Sequence, residues 1–390
     1  MLLDSQLQRP IQQTIIQQFA KRAKGNALVS EAVDIFVAEF RYLVENSNPD
    51  VLICALPLPL LEAMDAAGEG GEPTADDDDA PRTRLNFHHL LKARAMGLKK
   101  PVQIILPTTY DKSTRRRQKT RPSKVREIQD EATIAWNLYT ALYYKAGGIP
   151  WRLIRDPSQL TACYIGVSFY KTLDLSKVMT SIAQVFNQRG EGVIVRGGAA
   201  KVSKEDRQPH LSREDARKLL SQALDRYRDV HRNFPARIVL HKTSTYNHEE
   251  LDGFREAAEH NRIDYYDFIS VGESPTRLFR NGEYPPLRGT LWHLDGRSHV
   301  LYTRGGVDFF QTYPGLYVPM PLLFRCEAVA ETPKALAQEL LGLTKMNWNN
   351  TQFDGREPIT VRAARQVGSI LRYIPEDEDD RIEPRYSFYM

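Results

Sequence analysis

Cysteine is scarce: Cys54, Cys163 and Cys326 are the only three in 390 residues, and they lie far apart. That excludes a disulfide framework and a cysteine-rich zinc site, and it suits a reducing compartment. No apolar run approaches the roughly 20 residues that a bilayer-spanning helix needs. The opening MLLDSQLQRPIQQT lacks the basic-then-apolar order of a secretory signal. No Gly-rich phosphate loop of the dinucleotide or Walker kind occurs, which weighs against an unrelated nucleotide-binding enzyme. No internal repeat is visible. Membrane, secreted and fibrous classes are set aside, and a cytoplasmic protein with no membrane partner is expected.

What is present is ordinary in bulk and uneven in detail. Hydrophobic residues make up 42% and charged residues 26%, a globular composition, and the length suits two domains. The formal net charge is +4, but residues 65–80, DAAGEGGEPTADDDDA, hold seven acidic groups and no base. Without them the balance is 53 − 42 = +11. This stretch, extended to 65–82, has no apolar period and is expected to be a solvated insertion. Residues 112–126, KSTRRRQKTRPSKVR, hold eight Lys/Arg and no acid. Such a run gives sequence-independent, salt-sensitive affinity for phosphate, so Arg115, Arg116, Arg117, Lys119 and Arg121 are candidate nucleic-acid contacts.

Apolar periodicity predicts helices over 11–45, 84–97 and 127–146, with short buried strands at 51–56 and 101–107. The third helix carries the stripe Ile128, Ala132, Ala135, Leu138, Leu142, and Gly147-Gly148 with Pro150 ends it. Strand–helix alternation over 50–150 implies a parallel α/β sheet. Strands are expected at 162–170, 190–198 and 237–242, and helices at 211–232, with Ser212 and Asp215 as caps, and at 361–374. LWHL-DG-RSHVLYT (291–303) reads as a hairpin with an Asp-Gly turn. The fold class is α/β with a mixed sheet in the second half.

ATIAWNLYTALYYKAGGIPWRL (132–153), followed by CYIGVSFYKT (163–172), resembles the junction between the MID and PIWI domains of prokaryotic Argonautes. RIVLHKTSTYNHEEL (237–251), LTKMNWNNTQFDGREPIT (343–360) and VRAARQVGSIL (361–371) resemble later PIWI segments, in the same order. The resemblance implies a Rossmann-like MID domain over 1–153 and an RNase H-like PIWI domain over 154–390. In the family, MID holds the 5′ end of a guide strand, and the matching positions are His88, Lys92, Gln103 and Lys145. His88 and Lys92 are i and i+4 and share one helix face. Gln103 offers a donor and an acceptor, and Lys145 a point charge. The end RYSFYM is apolar, and its aromatic residues favour burial over fraying. By resemblance the Met390 carboxylate helps hold a Mg²⁺ ion beside the guide phosphate.

RNase H-type cleavage needs a cluster of carboxylates around two divalent ions. The family's first Asp position falls on Ser168, the second on Thr243 and the last ligand near Ala363. A hydroxyl carries no formal charge and is a poor Mg²⁺ ligand, so no nuclease activity is expected. His241 and His248 lack a third metal ligand at recognised spacing and are expected to be structural. The chain resembles the short, nuclease-inactive prokaryotic Argonautes. That implies a 5′-phosphorylated guide, RNA by expectation, and complementary invader DNA recognised by base pairing. It also implies a heterodimer with an APAZ-containing effector, an NADase or a nuclease, acting in defence. The alternative from the same family is an active guide-directed endonuclease.

Overall fold

The computed structural model describes residues 7–22, 25–66, 85–114, 129–154, 160–185, 192–278, 285–307, 318–348 and 355–390. Most of the acidic insertion and the whole Arg115–Arg121 cluster lie outside these residues. Among the described residues, no helix is long and apolar enough to cross a membrane.

The N-terminal part is an α/β unit. Helices α1 (Gln13–Arg22), α2 (Gly25–Ser47), α3 (Leu58–Ala66) and α4 (Phe87–Ala95) surround the strands β1 (Leu52–Ala55) and β2 (Val102–Ile105), which pair in parallel. Leu28, Val29, Val33, Phe36 and Phe40 on α2 pack on Leu52, Cys54, Leu90 and Leu91. Asn86 starts α4 by accepting the His89 amide at 3.0 Å, one of the orphan donors of a helix start. Helix α5 (Glu131–Lys145) begins at Asp130, which accepts the Thr133 amide at 2.9 Å. It ends before Gly147, whose φ of +94° suits only glycine.

The α5 stripe differs from the sequence expectation. Ala132 and Ala135 are exposed, and Leu138 and Leu142 only half-buried. The buried face is Thr140, Ala141, Tyr144 and Lys145. The reason is the partner. The C-terminal half of α5 packs on Trp348, with ring centroids of Tyr144 and Trp348 4.5 Å apart, and on Tyr386. That draws a lysine inward and leaves the predicted stripe outside.

The second part is a nine-stranded mixed sheet of order β6-β5-β4-β3-β7-β8-β11-β10-β9. Its centre is β3 (Ala162–Lys171), parallel to β7 (Arg237–Lys242), which is parallel to β8 (Tyr265–Glu273). Strands β4 (Val178–Val185) and β5 (Val193–Val202) extend one side antiparallel, and β6 (Pro209–His210) ends it. Strands β9 (Leu291–His293), β10 (Ser298–Leu301) and β11 (Leu322–Ala328) extend the other side antiparallel. The 291–303 hairpin forms, but not around a two-residue Asp-Gly turn. Leu294 N donates to Ser298 O at 2.9 Å, and the Asp295 carboxylate accepts from the amides of Arg297 and Ser298. The Asp295 side chain, rather than Gly296, makes the turn.

Helices α6 (Arg213–His231) and α7 (His248–His260) cover one face of the sheet, with Phe254, Leu220 and Leu224 packed on Ile165 and Leu240. Ser212 caps α6 through the Asp215 amide at 3.1 Å, as the sequence indicated. Helices α8 (Pro333–Leu343) and α9 (Ile359–Leu371) lie on the other face. Helix α9 approaches β3 closely: a Cβ on Gly166 would stand 2.0 Å from Thr360 O. The chain then returns to the first part. Tyr386, Phe388, Tyr389 and Met390 are buried with Ala93, Met96, Ala141 and Tyr144. One core therefore joins residues from both sides of position 153.

Candidate functional site

Two places draw the sequence-selected residues together, and α9 runs between them. At its C-terminal end α9 contacts α4, and Tyr373 Oη accepts the Asn86 amide at 2.9 Å. Here Lys92 is buried, and its Nζ donates to Met390 O at 2.7 Å and Tyr389 O at 3.2 Å. Lys145 is buried as well. Its Nζ donates to Gln103 Oε1 at 2.6 Å and Val102 O at 2.9 Å. Gln103 Nε2 donates to Ile104 O at 2.9 Å. Burial, and then the Lys92 charge, pull the Lys145 ammonium well below the ordinary lysine range. Lys92, Gln103, Lys145 and Met390 thus converge from α4, β2, α5 and the tail. His88 is half-buried one turn before Lys92, edge-on to His89 with centroids 5.6 Å apart.

Three further residues frame this pocket. Gln366 on α9 donates through Nε2 to Tyr389 O at 2.9 Å and accepts from Tyr386 Oη at 2.9 Å, which fixes the tail under Lys92. His89 is pushed down to about 4 by burial, then by Lys92 and Arg372. It is a neutral ring beside two cations. Arg372 follows α9, and its buried Nε has no partner among the described residues. Only the histidine doublet was a visible signal for any of these. Gln366 and Arg372 are far in sequence from the other pocket residues.

The second place is the N-terminal half of α9 and the ends of β3 and β7. Ser168 is buried and Thr243 half-buried. Thr243 Oγ1 stands 3.5 Å from Ser168 Oγ, a marginal hydrogen bond. These two are brought together. Ala363 is not part of an open site: it is fully buried among the apolar residues of α9, Trp348 and Tyr386. His241 faces α9 instead, with Nδ1 2.9 Å from Thr360 Oγ1. Burial pushes it down to about 3, so it is neutral. His248 is exposed and bridges Asp252 at 2.9 Å. Among the described residues, no group of three or more His, Cys, Asp or Glu could hold a metal ion. The three cysteines are buried and form no disulfide.

The opposite face of β7 has a different charge pattern. Lys242 is fully buried and donates to Glu250 Oε2 at 2.7 Å and Thr245 O at 2.6 Å. Glu250 also accepts the amides of Leu211 and Asn247, and His210 lies 3.0 Å from it. This ammonium is lowered by burial to about 8, with Glu250 opposing the shift. The network ties β6, β7 and α7 together.

The Mg²⁺ ion that the resemblance places at Met390 would compete with two lysine ammonium groups. The oxygens presented there are Tyr389 O, Val102 O, Gln103 Oε1 and one oxygen of the Met390 terminal carboxylate. Each already accepts from a lysine ammonium. A divalent cation would have to displace these ammonium groups and sit beside their charges.

No family model matches the sequence, and no curated protein matches it. Solved structures do. An Argonaute of Clostridium butyricum bound to a guide DNA and a 19-mer target DNA superposes with a TM-score of 0.63 at 17% identity. The match covers 88% of this chain and 40% of that one. Drosophila Piwi gives 0.58 at 16% identity, covering 92% of this chain and 44% of its own. The chain thus spans less than half the length of either neighbour. Its fold is Argonaute-like: a MID–PIWI arrangement of a small α/β unit against a large mixed sheet.

Proposed function

We propose that this chain, with its Argonaute-like fold, is a guide-binding protein that recognises nucleic acid through base pairing and does not itself cleave. The observation that carries this reading is Lys145. It is a buried ammonium whose acceptors among the described residues are both neutral oxygens, and Lys92 is close enough to repel it. Lys92 already holds one oxygen of the Met390 terminal carboxylate, which leaves about one positive charge over, and burying that excess is costly unless a further anion joins it. A terminal 5′-phosphate supplies about −1.5 to −2 charges and three acceptor oxygens. Backbone and phosphate contacts then give grip, while base pairing gives specificity.

The absence of cleavage is supported at the other end of α9. Ser168 and Thr243 offer hydroxyls where the family has carboxylates, and Ala363 offers a methyl group in an apolar core. Two-metal hydrolysis needs negative charge at these places. By resemblance, the guide is a small RNA, the target is complementary invader DNA, and the output comes from an APAZ-containing partner. These last three rest on analogy of fold.

The test of the pocket is direct. Lys145→Ala or Lys92→Ala should weaken binding of a 5′-phosphorylated guide far more than that of its 5′-hydroxyl counterpart, measured by fluorescence anisotropy. Equal losses for both guides would refute it. A tagged pull-down from cells, with sequencing of bound nucleic acid and mass spectrometry of bound protein, tests the guide and partner assignments.

A further inference from the structure

We infer that the outer face of α5 is a stacking platform for unpaired bases, and that its occupant is single-stranded nucleic acid: the target where it runs past the 5′ end of the guide. This rests on the guide-binding reading above and goes beyond it.

The face is Trp136, Tyr139 and Tyr143, spaced i, i+3 and i+7 along one stripe of the helix. The three side chains are 45%, 69% and 45% exposed. Burial does not explain them, since the core side of α5 is Thr140, Ala141, Tyr144 and Lys145. Helix propensity does not explain them either, because aromatic residues are mediocre helix formers. Yet the rings are held in place. Tyr143 lies on Gly148, where a Cβ would stand 2.5 Å from the ring. Tyr139 is parallel to Tyr143, with 4° between the planes and centroids 6.0 Å apart. Trp136 stacks on Trp151 at 6.4 Å, and Trp151 is fixed by donating from Nε1 to Lys345 O at 2.9 Å. Rings that are exposed on one side and already ordered on the other lose little freedom when a base stacks on them.

Size and charge choose the occupant. A whole aromatic side chain offers about 150–250 Å², so these three together present roughly 300 Å². A stable protein interface takes about 800 Å² from each partner, which disfavours a second copy of this chain or a folded partner. A few bases fit. The sequence leading into α5, residues 112–126, holds eight Lys/Arg and no acid. Asp130, the acid at the helix start, is engaged by the Thr133 amide and hydroxyl at 2.9 and 2.6 Å. Phosphates are the matching charge. The position agrees as well. Lys145 is two residues from Tyr143 and turned inward, so the phosphate pocket and the platform are separated by one helix, about 10–12 Å across. That is about three steps of a strand rising ~3.4 Å per base.

The experiment uses the full chain loaded with a 5′-phosphorylated guide. The labelled target ends flush with the 5′ end of the guide or carries a single-stranded 3′ tail of about five nucleotides beyond it, with bases or abasic. In anisotropy titrations the base-bearing tail should tighten binding roughly tenfold over the flush target, and the abasic tail, of equal charge, should give little of that gain. Tyr139→Ala should lose most of the gain and leave the flush target unchanged, whereas Tyr139→Phe should keep it. The Tyr139 side chain is largely exposed, so the thermal midpoint should stay near wild type. Equal gains from base-bearing and abasic tails would overturn the platform in favour of charge alone. So would a gain that survives Trp136→Ala and Tyr139→Ala together. A wild type that is dimeric by light scattering and becomes monomeric as Tyr139→Ala would assign the face to a second copy instead. A guide held with 5′-phosphate preference but no gain from the tail sinks this inference alone, and a guide not held at all sinks the pocket reading and this inference with it.

Discussion

Lys242 and Lys145 are both buried lysines, one in each half of the molecule, and their surroundings differ in one respect. Lys242 has a buried carboxylate, Glu250, at 2.7 Å. Lys145 has two neutral oxygens. The first is a closed structural network whose acceptor was supplied by the fold. The second has no carboxylate in contact, because the Met390 carboxylate is held by Lys92. The comparison teaches that burial alone does not mark a site. The mark is burial without an opposite charge, near a second cation.

The largest effect expected is on the closed side. Glu250→Gln should cost about 3–5 kcal/mol of stability at pH 7, because Lys242 then loses its buried counter-ion. The penalty should shrink above pH 8. Lys242 is already lowered to about 8, and the variant lets it lose its proton sooner. Chemical denaturation at pH 7 and pH 9 checks both. An equal loss at both values would mean that the network matters through hydrogen bonds and not through charge. On the open side, Lys145→Met should leave the unliganded protein about as stable, or more so, because an isolated buried charge is removed. The same variant should lose about 2–3 kcal/mol of affinity for a 5′-phosphorylated guide, an estimate for a charged hydrogen bond. Opposite responses of stability at Glu250 and Lys145 would sharpen the comparison, and parallel ones would break it.

A smaller effect is expected from acid. His89 is lowered from 6.5 to about 4, so the unfolded chain binds the proton first as pH falls. Its contribution to stability is complete above pH 6.5 and is lost progressively as pH falls from 6.5 towards 4. His89→Asn should flatten that part of the profile, leaving the limb owed to His241, which is lowered to about 3. A bound 5′-phosphate should shift the His89 limb downward in stability cost, because its negative charge favours the protonated ring. Thermal midpoints with and without guide between pH 4 and pH 7 read this directly.

Much of the fold was legible because the signals were local. Asn86, Asp130 and Ser212 cap helices that begin where apolar periodicity begins, and RIVLHK is a strand over its whole length. That Lys92, Gln103 and Lys145 stand near one another was legible through the spacing that the resemblance supplied. What was not legible depends on contacts across the chain. The inner face of α5 is chosen by Trp348 and Tyr386, some two hundred residues later. Ala363 looked like an empty ligand position, yet the packing of α9 closes it in an apolar core. Strands β4, β8 and β11 interrupt their apolar residues with polar ones, so their patterns do not stand out before pairing decides their register.

The smallest effect predicted is none at all, and it is the one that separates the two ends of α9 most clearly. Ser168→Asp restores a carboxylate at the position where the family has its first metal ligand. It should not produce cleavage of a guide-paired target in Mg²⁺ or Mn²⁺. Thr243, 3.5 Å away, contributes only a hydroxyl, and Ala363 cannot contribute a ligand from within the core. The new carboxylate would be largely buried, so it should hold its proton at neutral pH and lower stability instead of binding metal. A gel assay on labelled target, with a thermal melt of the same preparation, distinguishes these outcomes. Metal-dependent cleavage by this single variant would mean that a ligand outside the described residues completes the site. Silence, with the 5′-phosphate preference intact, would leave the anion pocket as the working end of this chain.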